Sequence, residues 1–412
     1  MRLGSRLSRK RDWENVRNLR GIVRDAAGDM LPLYPFSIFG WPSTWVTPSE
    51  RFSEFRIISP WRLGRTIRFL WQISVPSIPL NPPVFGPPVL HRFFWEPSVI
   101  LQRPDHIGSF TSFPQEAWFC VNGIMTNDSV AQLNSAYLAD LFHRPITMVW
   151  NSTDSVLVDL FECAIGKQWY YNVEPAVVAF PPLYDALKDP RKERVVVIGH
   201  SQGTIIMANI LRLLQCLYVG PRPSTQDFGL LDELMPSGFA PAEFVYPDQT
   251  PLNLADFAPL YDDELEKLEV YLFANCANTL PYLRPPAPGR PPLPWIENFG
   301  NEYDLVARLG MLAPDAARHD IEIAGPIYQR NDAWGHLLGA HYLSPIERQQ
   351  RRGRRRGGSE TADPFVLLNP EAPHYPSPRL FDYINGGSPG PDRALVVAAG
   401  ATTMAANGRA LA

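Results

Sequence analysis

The sequence carries little net charge and few cysteines. Its 412 residues include 38 Lys and Arg against 42 Asp and Glu, a formal net charge of -4, so no bulk field draws the chain to nucleic acid. The four cysteines lie far apart, and neither a CxxC pair nor a Cys/His cluster occurs. This spacing argues against a structural zinc site. It predicts free, mostly buried thiols, which favour a reducing compartment.

Targeting and membrane-spanning patterns are also missing. The basic N-terminal stretch is not followed by the apolar segment of a secretory signal. The longest uncharged run, residues 69–90, contains six prolines, which argue against a spanning helix. Neither a phosphate-binding Gly-rich loop nor a dinucleotide fingerprint is present. We therefore expect a cytoplasmic or peripherally membrane-associated protein that uses no metal and no cofactor.

Proline, at 43 residues, is the residue type in excess, and its distribution suggests three parts. Residues 1–110 are basic, aromatic and proline-rich without a clean period, which predicts an irregular wrapping segment. Residues 111–350 alternate short apolar strands with helical stretches. Residues 351–412 open with an arginine run and continue with proline, glycine and small residues, which predicts a tail with little structure.

The beginning of the first part has helical spacing. Trp13, Val16, Leu19 and Val23 recur at the period of a helix among basic side chains. Such a helix either lies at an anionic membrane surface or packs its apolar face on the domain, and the sequence leaves both open.

The middle part predicts an α/β fold with a mainly parallel sheet and helices on both faces, because its strands are continuous apolar runs separated by helices. Helices are expected over about 129–142, over much of 175–187 with interruptions at Pro181 and Pro182, over 203–217, and from about Leu337. Residues 218–262 are proline-rich and irregular, as a lid-like insertion would be. The expected strands are AWFCVNGI, PITMVWN, RVVVIG, EVYLFANCA, WIENFG and IEIAGPIY.

One serine stands where the third strand meets its helix. The stretch Gly-His-Ser-Gln-Gly places Ser201 between Gly199 and Gly203, which lack Cβ atoms and so permit a tight turn. Ser201 is then expected to be exposed at the carboxyl end of the sheet, above a helix N-terminus that favours negative charge. Because a serine hydroxyl is a weak nucleophile without a base, the rest of the chain must supply one.

The stretch VVVIGHSQGT resembles the nucleophile elbow of the α/β-hydrolase superfamily, in its lipase and esterase branch, and the resemblance extends over roughly residues 115–345. It implies an α/β-hydrolase fold and a Ser–acid–His triad in that chain order. The base would follow the last strand, which favours His336 on a loop before a helix; His341 is the alternative and is expected to pack inside that helix.

The same resemblance implies an acid beyond a strand between the serine and the histidine. Asp304 follows the fifth strand, with Glu297 and Glu302 as rivals, and Asp304 has a helix-capping role as its plain alternative. An oxyanion hole would take backbone N–H groups from Gln202 and from the loop VNGIM, where Ile124 is the expected donor and Met125 the alternative. VNGIM is similar to the lipase His-Gly loop with Asn122 in place of histidine; an ordinary turn is the other interpretation. His200 receives no chemical role.

These residues predict a serine hydrolase that cleaves carboxylic esters through an acyl-enzyme intermediate. The alternatives are an acyltransferase or thioesterase on the same triad, and a non-catalytic membrane- or partner-binding protein with a vestigial site. The expected partner is an ester, with lipids among the candidates, and peripheral membrane contact is compatible with the N-terminal pattern. Nucleic acid is not expected as a partner, and the arginine run Arg351–Arg356 is expected to be a solvated, disordered stretch.

Overall fold

The computed structural model describes part of the chain. The described residues are 20–21, 24, 36–41, 51–57, 63–64, 98–102, 114–123, 126, 128–150, 174–222, 252–287, 290–314, 316–355, 365–390 and 395–396. The helical pattern at Trp13–Val23, most of the predicted lid, and residues 397–412 lie outside it.

A mostly parallel sheet of eight strands forms the centre of the described fold. Its spatial order is β1-β3-β2-β4-β7-β9-β11-β12, with β1 and β12 antiparallel at the two edges. Two short parallel pairs, β10 with β8 and β5 with β6, lie outside this sheet. The strands are β1 (Ser98–Gln102), β2 (Glu116–Val121), β3 (Ile146–Trp150), β4 (Arg194–His200), β5 (Tyr218–Gly220), β6 (Leu260–Tyr261), β7 (Leu268–Phe273), β8 (Thr279–Leu280), β9 (Trp295–Tyr303), β10 (Glu322–Ile323), β11 (Ile327–Trp334) and β12 (Val366–Leu367).

Helices cover both faces of this sheet, which gives the α/β class that the sequence predicted. The α-helices are α1 (Phe36–Phe39), α2 (Asp128–Phe142), α3 (Glu174–Lys188), α4 (Gln202–Leu217), α5 (Asp262–Leu265), α6 (Leu305–Arg308) and α7 (Ser344–Arg355), and a π-helix, Leu338–Leu343, leads into α7. Short 3-10 helices occupy Glu54–Arg56, Leu254–Asp256, Ala316–His319 and Arg379–Gly386. Among the described helices, none combines the length and the hydropathy that crossing a bilayer needs.

The strand sequences build two cores because successive side chains point to opposite faces. In β4, Val195 and Val197 join the apolar cluster beneath α3 and α4, while Val196 and Ile198 join the cluster beneath α2. All four are at most 1% exposed. A fully buried aliphatic side chain contributes about 1.5–3 kcal/mol relative to an exposed one, so the continuous apolar run of β4 stabilises both layers at once.

Three predictions about individual elements were wrong. IEIAGPIY is not one strand: β10 pairs outside the main sheet, and β11 begins only at Ile327, after Gly325, whose φ of +91° turns the chain. Helix α3 runs unbroken through Pro181 and Pro182, held by core side chains such as Phe180 and Leu183 on either side. The predicted irregular segment 1–110 contributes edge strand β1 to the sheet.

The predicted tail also differs from the structure over residues 365–390. β12 adds to the sheet beside β11, and Phe365, Leu380 and Tyr383 lie in the second core. The arginine run was predicted to be disordered, but its residues up to Arg355 form the end of helix α7. Tertiary contacts order these residues, and such contacts leave no periodic signal in a proline- and glycine-rich sequence.

The described cysteines are free, with Cys120 and Cys276 buried and Cys216 exposed. Burial raises the pKa of the Cys120 thiol to about 12. This thiol therefore acts as a small apolar side chain inside β2.

Candidate active site

The turn between β4 and α4 holds Ser201 in a strained backbone conformation. Ser201 has φ 59° and ψ -126° and is the N-cap of α4. A positive φ at a residue with a Cβ costs about 1–3 kcal/mol and concentrates at functional sites. The strain is possible because its neighbours are small: a Cβ on Gly203 would lie 2.2 Å from the Val121 carbonyl oxygen, so only glycine lets α4 pack this close to β2.

Ser201 lies at the carboxyl end of the sheet as expected, but its side chain is 1% exposed rather than open to solvent. Two neighbours explain the burial. The His336 ring covers the hydroxyl on one side, and Gly123 is so close that a Cβ there would lie 2.4 Å from Ser201 Cβ. The hydroxyl therefore sits in a low-dielectric site, where its hydrogen bonds are stronger than in water.

His336 contacts the serine through one ring nitrogen. It follows β11 on a three-residue loop before the π-helix, and its Nε2 lies 2.9 Å from Ser201 Oγ. Its Nδ1 lies 2.9 Å from Asp304 Oδ2 and 3.1 Å from Asp304 Oδ1. Both nitrogens of the ring are therefore engaged, one with the hydroxyl and one with a buried carboxylate.

Asp304 caps a helix and also contacts His336, so it makes the contacts that both predicted roles require. Its side chain caps α6 by accepting hydrogen bonds from Val306 N and Ala307 N. The same carboxylate contacts His336 and accepts a 2.6 Å hydrogen bond from the Tyr342 hydroxyl. Asp304 is fully buried, so these donors replace water around its charge.

The contacts of the ring determine the position of its proton. Asp304 is an acceptor on both oxygens, so Nδ1 of a neutral His336 carries the hydrogen and Nε2 keeps its lone pair. Ser201 Oγ then donates its proton towards Nε2. This is the arrangement in which an imidazole removes a hydroxyl proton while a carboxylate stabilises the imidazolium that forms.

His200 contributes to the site, although the sequence gave it no role. Its Nε2 lies 2.8 Å from the His336 carbonyl oxygen, which only accepts, so Nε2 must carry a hydrogen and donate it. The two rings stack with centroids 4.6 Å apart. Burial, and then the charge of His336, lower the pKa of His200 to about 3. His200 therefore stays neutral and acts on the His336 backbone and ring as a fixed support.

Tyr342 and Asn301 are further residues that the sequence did not reveal. Tyr342 accepts from Asn301 N at 3.1 Å while its hydroxyl donates to Asp304. Burial, and next the charge of Asp304, raise the pKa of Tyr342 well above its usual value, so it remains a donor. Asn301 Nδ2 donates to the Gly335 carbonyl oxygen at 2.9 Å and so fixes the loop that carries His336.

His341, the rival base, lies in the π-helix and contacts the loop rather than the serine. Its Nδ1 accepts a hydrogen bond from Leu337 N at 2.9 Å. Two glycines with positive φ flank the ring, since a Cβ on Gly335 or Gly40 would lie 2.4 Å or 2.7 Å from it. Burial, followed by the charges of Arg330 and His336, lowers the pKa of His341 to about 3. Its role is packing, as the sequence indicated.

The rival acids also lie elsewhere. Glu297 is buried in β9, where it accepts from Arg379 N and Leu380 N, and burial raises its pKa to about 7. Glu302 accepts from Asp332 N at 2.8 Å. Neither carboxylate replaces Asp304 at the His336 ring.

The predicted oxyanion donors are only partly described. Gln202 is the first residue of α4, and the backbone N–H groups of a first helical turn point out of the helix N-terminus, where they favour an anion. Ile124 and Met125 lie outside the described residues. Gly123, just before them, lies against Ser201, so the start of the loop after β2 reaches the serine.

Comparisons of this chain with protein-family models, with curated proteins and with solved structures found no match. The geometry of this site is therefore the basis on which a function can be inferred.

Proposed function

We propose that this chain is a serine hydrolase of the α/β-hydrolase superfamily that cleaves carboxylic esters. The observation that carries the proposal is the His336 ring, which joins Ser201 Oγ at 2.9 Å to Asp304 Oδ2 at 2.9 Å. The three residues follow β4, β9 and β11, the Ser–acid–His order of that superfamily. The strained backbone of Ser201 adds support, since such strain is retained mainly where it serves a site.

The proposed reaction begins with transfer of the Ser201 proton to His336 Nε2. Ser201 Oγ forms a bond to the ester carbonyl carbon, and the carbonyl oxygen takes the negative charge. The N-terminus of α4 at Gln202 faces that charge and stabilises it. His336 then returns its proton to the alcohol oxygen as the carbon–oxygen bond breaks, which leaves an acyl group on Ser201. Water repeats the sequence and releases the acid.

Inhibition by a fluorophosphonate probe tests the proposal, because the probe bonds only to an activated serine. The wild-type chain should be labelled and should hydrolyse p-nitrophenyl esters. Ser201→Ala should lose both, with residual catalysis of only about 10³–10⁴-fold over water. Ser135→Ala is the matched control, because Ser135 is equally buried but hydrogen-bonds to Gln132 O within α2.

The series of esters should range from acetate to long acyl chains, with a phospholipid included, because the fold does not define the acyl group. Acyl transfer would appear as an ester product when an alcohol is added. Labelling that persists in Ser201→Ala, or a wild-type chain that reacts with neither probe nor ester, would refute the proposal.

A further inference from the structure

A segment from far upstream packs against the loop that carries His336. We call residues 36–41 and 51–57 the N-terminal strap. The Ile38 carbonyl oxygen accepts a 2.8 Å hydrogen bond from His336 N. Phe55 packs edge-on against His341, with ring centroids 5.6 Å apart. The strap therefore touches the candidate base and the helix that follows it.

Glu54 makes the strongest of these contacts. It is 1% exposed, and its two oxygens accept hydrogen bonds from consecutive amides, Oε1 from Gly339 N at 2.6 Å and Oε2 from Ala340 N at 2.8 Å. A Cβ on Gly339 would lie 2.9 Å from Oε2, so glycine at this position permits the close approach. The carboxylate thus clamps the first turn of the π-helix, directly after the His336 loop.

The hydrogen bonds favour the ionised form of Glu54. In a protonated Glu54, one carboxyl oxygen would carry a hydrogen. That O–H would face a backbone N–H, so a donor would meet a donor. Burial raises the pKa of Glu54 above its usual value, and the backbone N–H groups and the positive charge that His336 can take up offset only part of that rise. A buried carboxylate in this position interacts favourably with a protonated His336, and the interaction is reciprocal.

We propose that Glu54 is a positioning residue for the reaction: it holds the loop that carries His336 and stabilises the imidazolium that forms during proton transfer. The inference rests on the proposed function for its role in catalysis. It gives the ring a second carboxylate beside Asp304, one that acts through the backbone and through its charge without touching the substrate.

Among the described groups around the His336 ring, the other carboxylate is Asp304, which contacts Nδ1. His200 and His341 are neutral because burial lowers the pKa of each to about 3. Arg330 contributes a positive charge near His341, donating to its carbonyl oxygen at 2.8 Å, and so opposes protonation of the His341 ring.

Glu54→Gln tests the proposal, because it keeps the size and one acceptor oxygen but removes the charge. Titration of the histidine rings by NMR, with His336→Ala used to assign the His336 signal, measures where His336 takes up its proton. We expect the midpoint in Glu54→Gln to lie below that of the wild type, because a nearby carboxylate favours the charged form of the ring. Fluorophosphonate labelling should slow by about tenfold in its chemical step, with probe binding unchanged.

Glu302→Gln is the matched control. Glu302 also accepts a backbone N–H before the His336 loop, from Asp332, but its side chain is partly exposed, so solvent screens its charge. The control should keep the wild-type midpoint and labelling rate. Glu54→Asp retains the charge and should keep the midpoint near the wild-type value while labelling slows, because its shorter side chain draws the carboxylate away from the two amides.

A merely structural Glu54 would lower the melting temperature of Glu54→Gln without moving the His336 midpoint, and that result would overturn the inference. If Glu54→Gln does not fold, wild-type labelling in Glu54→Asp has the same consequence. Failure of the proposed function appears separately, as a wild-type chain that does not label. The histidine titration needs no activity and still decides whether Glu54 stabilises the protonated ring.

Discussion

At the scale of single residues, the Asp304 carboxylate is the most heavily coordinated group of the site. It accepts from His336 and Tyr342 and from the amides of Val306 and Ala307. Each donor restricts where the oxygens lie, and the His336 ring follows them. Apart from the His336 ring, Tyr342 is the side chain among these donors, so its contribution can be separated from helix capping and from that of the ring.

Tyr342→Phe should therefore reduce ester hydrolysis without removing it. A hydrogen bond to a charged group is worth about 1.5–3 kcal/mol, so we expect kcat to fall by about tenfold, with KM little changed. Steady-state kinetics measures both constants.

Tyr271→Phe is the comparison for Tyr342→Phe, because Tyr271 makes the same 2.6 Å bond to a carboxylate, Glu269, away from the serine. It should lower stability and leave kcat near the wild-type value. Equal losses of kcat in the two variants would mean that Tyr342 acts only through the stability of the fold.

Sequence reasoning could find Ser201, Asp304 and His336 because each follows a strand in a recognisable order. It could not find Tyr342, His200 or Glu54. Tyr342 lies in a helix and Glu54 in a segment without periodicity, and their roles arise only when distant parts of the chain pack together. The same holds for the burial of Ser201, which depends on the neighbouring loop and ring rather than on the residues of its own turn.

At the scale of elements, the strands and helices between 116 and 217 were predictable because their apolar runs and glycine-bounded turns are local signals. Helix α3 was harder: Pro181 and Pro182 indicate a break by local rules, but buried contacts of Phe180, Leu183 and Leu187 keep it continuous. Strand β11 was misplaced because the β-like run before it pairs with β8 instead. Which strand pairs with which depends on tertiary packing, and the alternation of apolar residues along one strand does not reveal it.

Substitution of Gly203 and of Gly123, which both lie close to the Ser201 turn, should affect stability and activity differently. Gly203→Ala places a Cβ 2.2 Å from the Val121 carbonyl oxygen, so α4 must move and the protein should lose about 2–3 kcal/mol. Gly123→Ala places a Cβ 2.4 Å from Ser201 Cβ. It should displace the hydroxyl and reduce kcat by about a hundredfold.

Urea denaturation and ester kinetics measure the effects of the two glycine substitutions. Gly390→Ala serves as the control, since a Cβ there meets nothing within 4 Å, and both of its readouts should match those of the wild type. Full activity in Gly123→Ala would show that the loop after β2 can withdraw from the serine.

At the scale of the whole molecule, residues 365–390 pack onto the same sheet as the rest of the described fold. Arg144, whose side chain is fully buried, pairs with Glu116 on β2 and donates to the Gly387 carbonyl oxygen. Arg379 donates from Nε and Nη2 to Glu269 on β7. These ion pairs tie residues 379–388 to strands in the middle of the sheet. The sequence alone does not show that Arg379 is attached to the sheet, because its partner Glu269 is distant in the chain.

Arg379→Ala should test that attachment. Removing Arg379 from this part-buried pair leaves the buried Glu269 charge uncompensated and costs up to about 3–5 kcal/mol. Among the described residues, Glu269 would keep the hydroxyls of Tyr271 and Tyr383 as partners. Urea denaturation should show this loss, and limited proteolysis should cut the variant within residues 365–390 sooner than the wild type.

Arg191→Ala is the control for Arg379→Ala, because the ion pair of Arg191 with Asp189 is on the surface. This substitution should leave the melting temperature almost unchanged. Since Arg379 lies apart from Ser201 and His336, the folded fraction of Arg379→Ala should keep its kcat. Wild-type stability in this variant would mean that β12 and the buried aromatic residues alone hold the C-terminal segment in place.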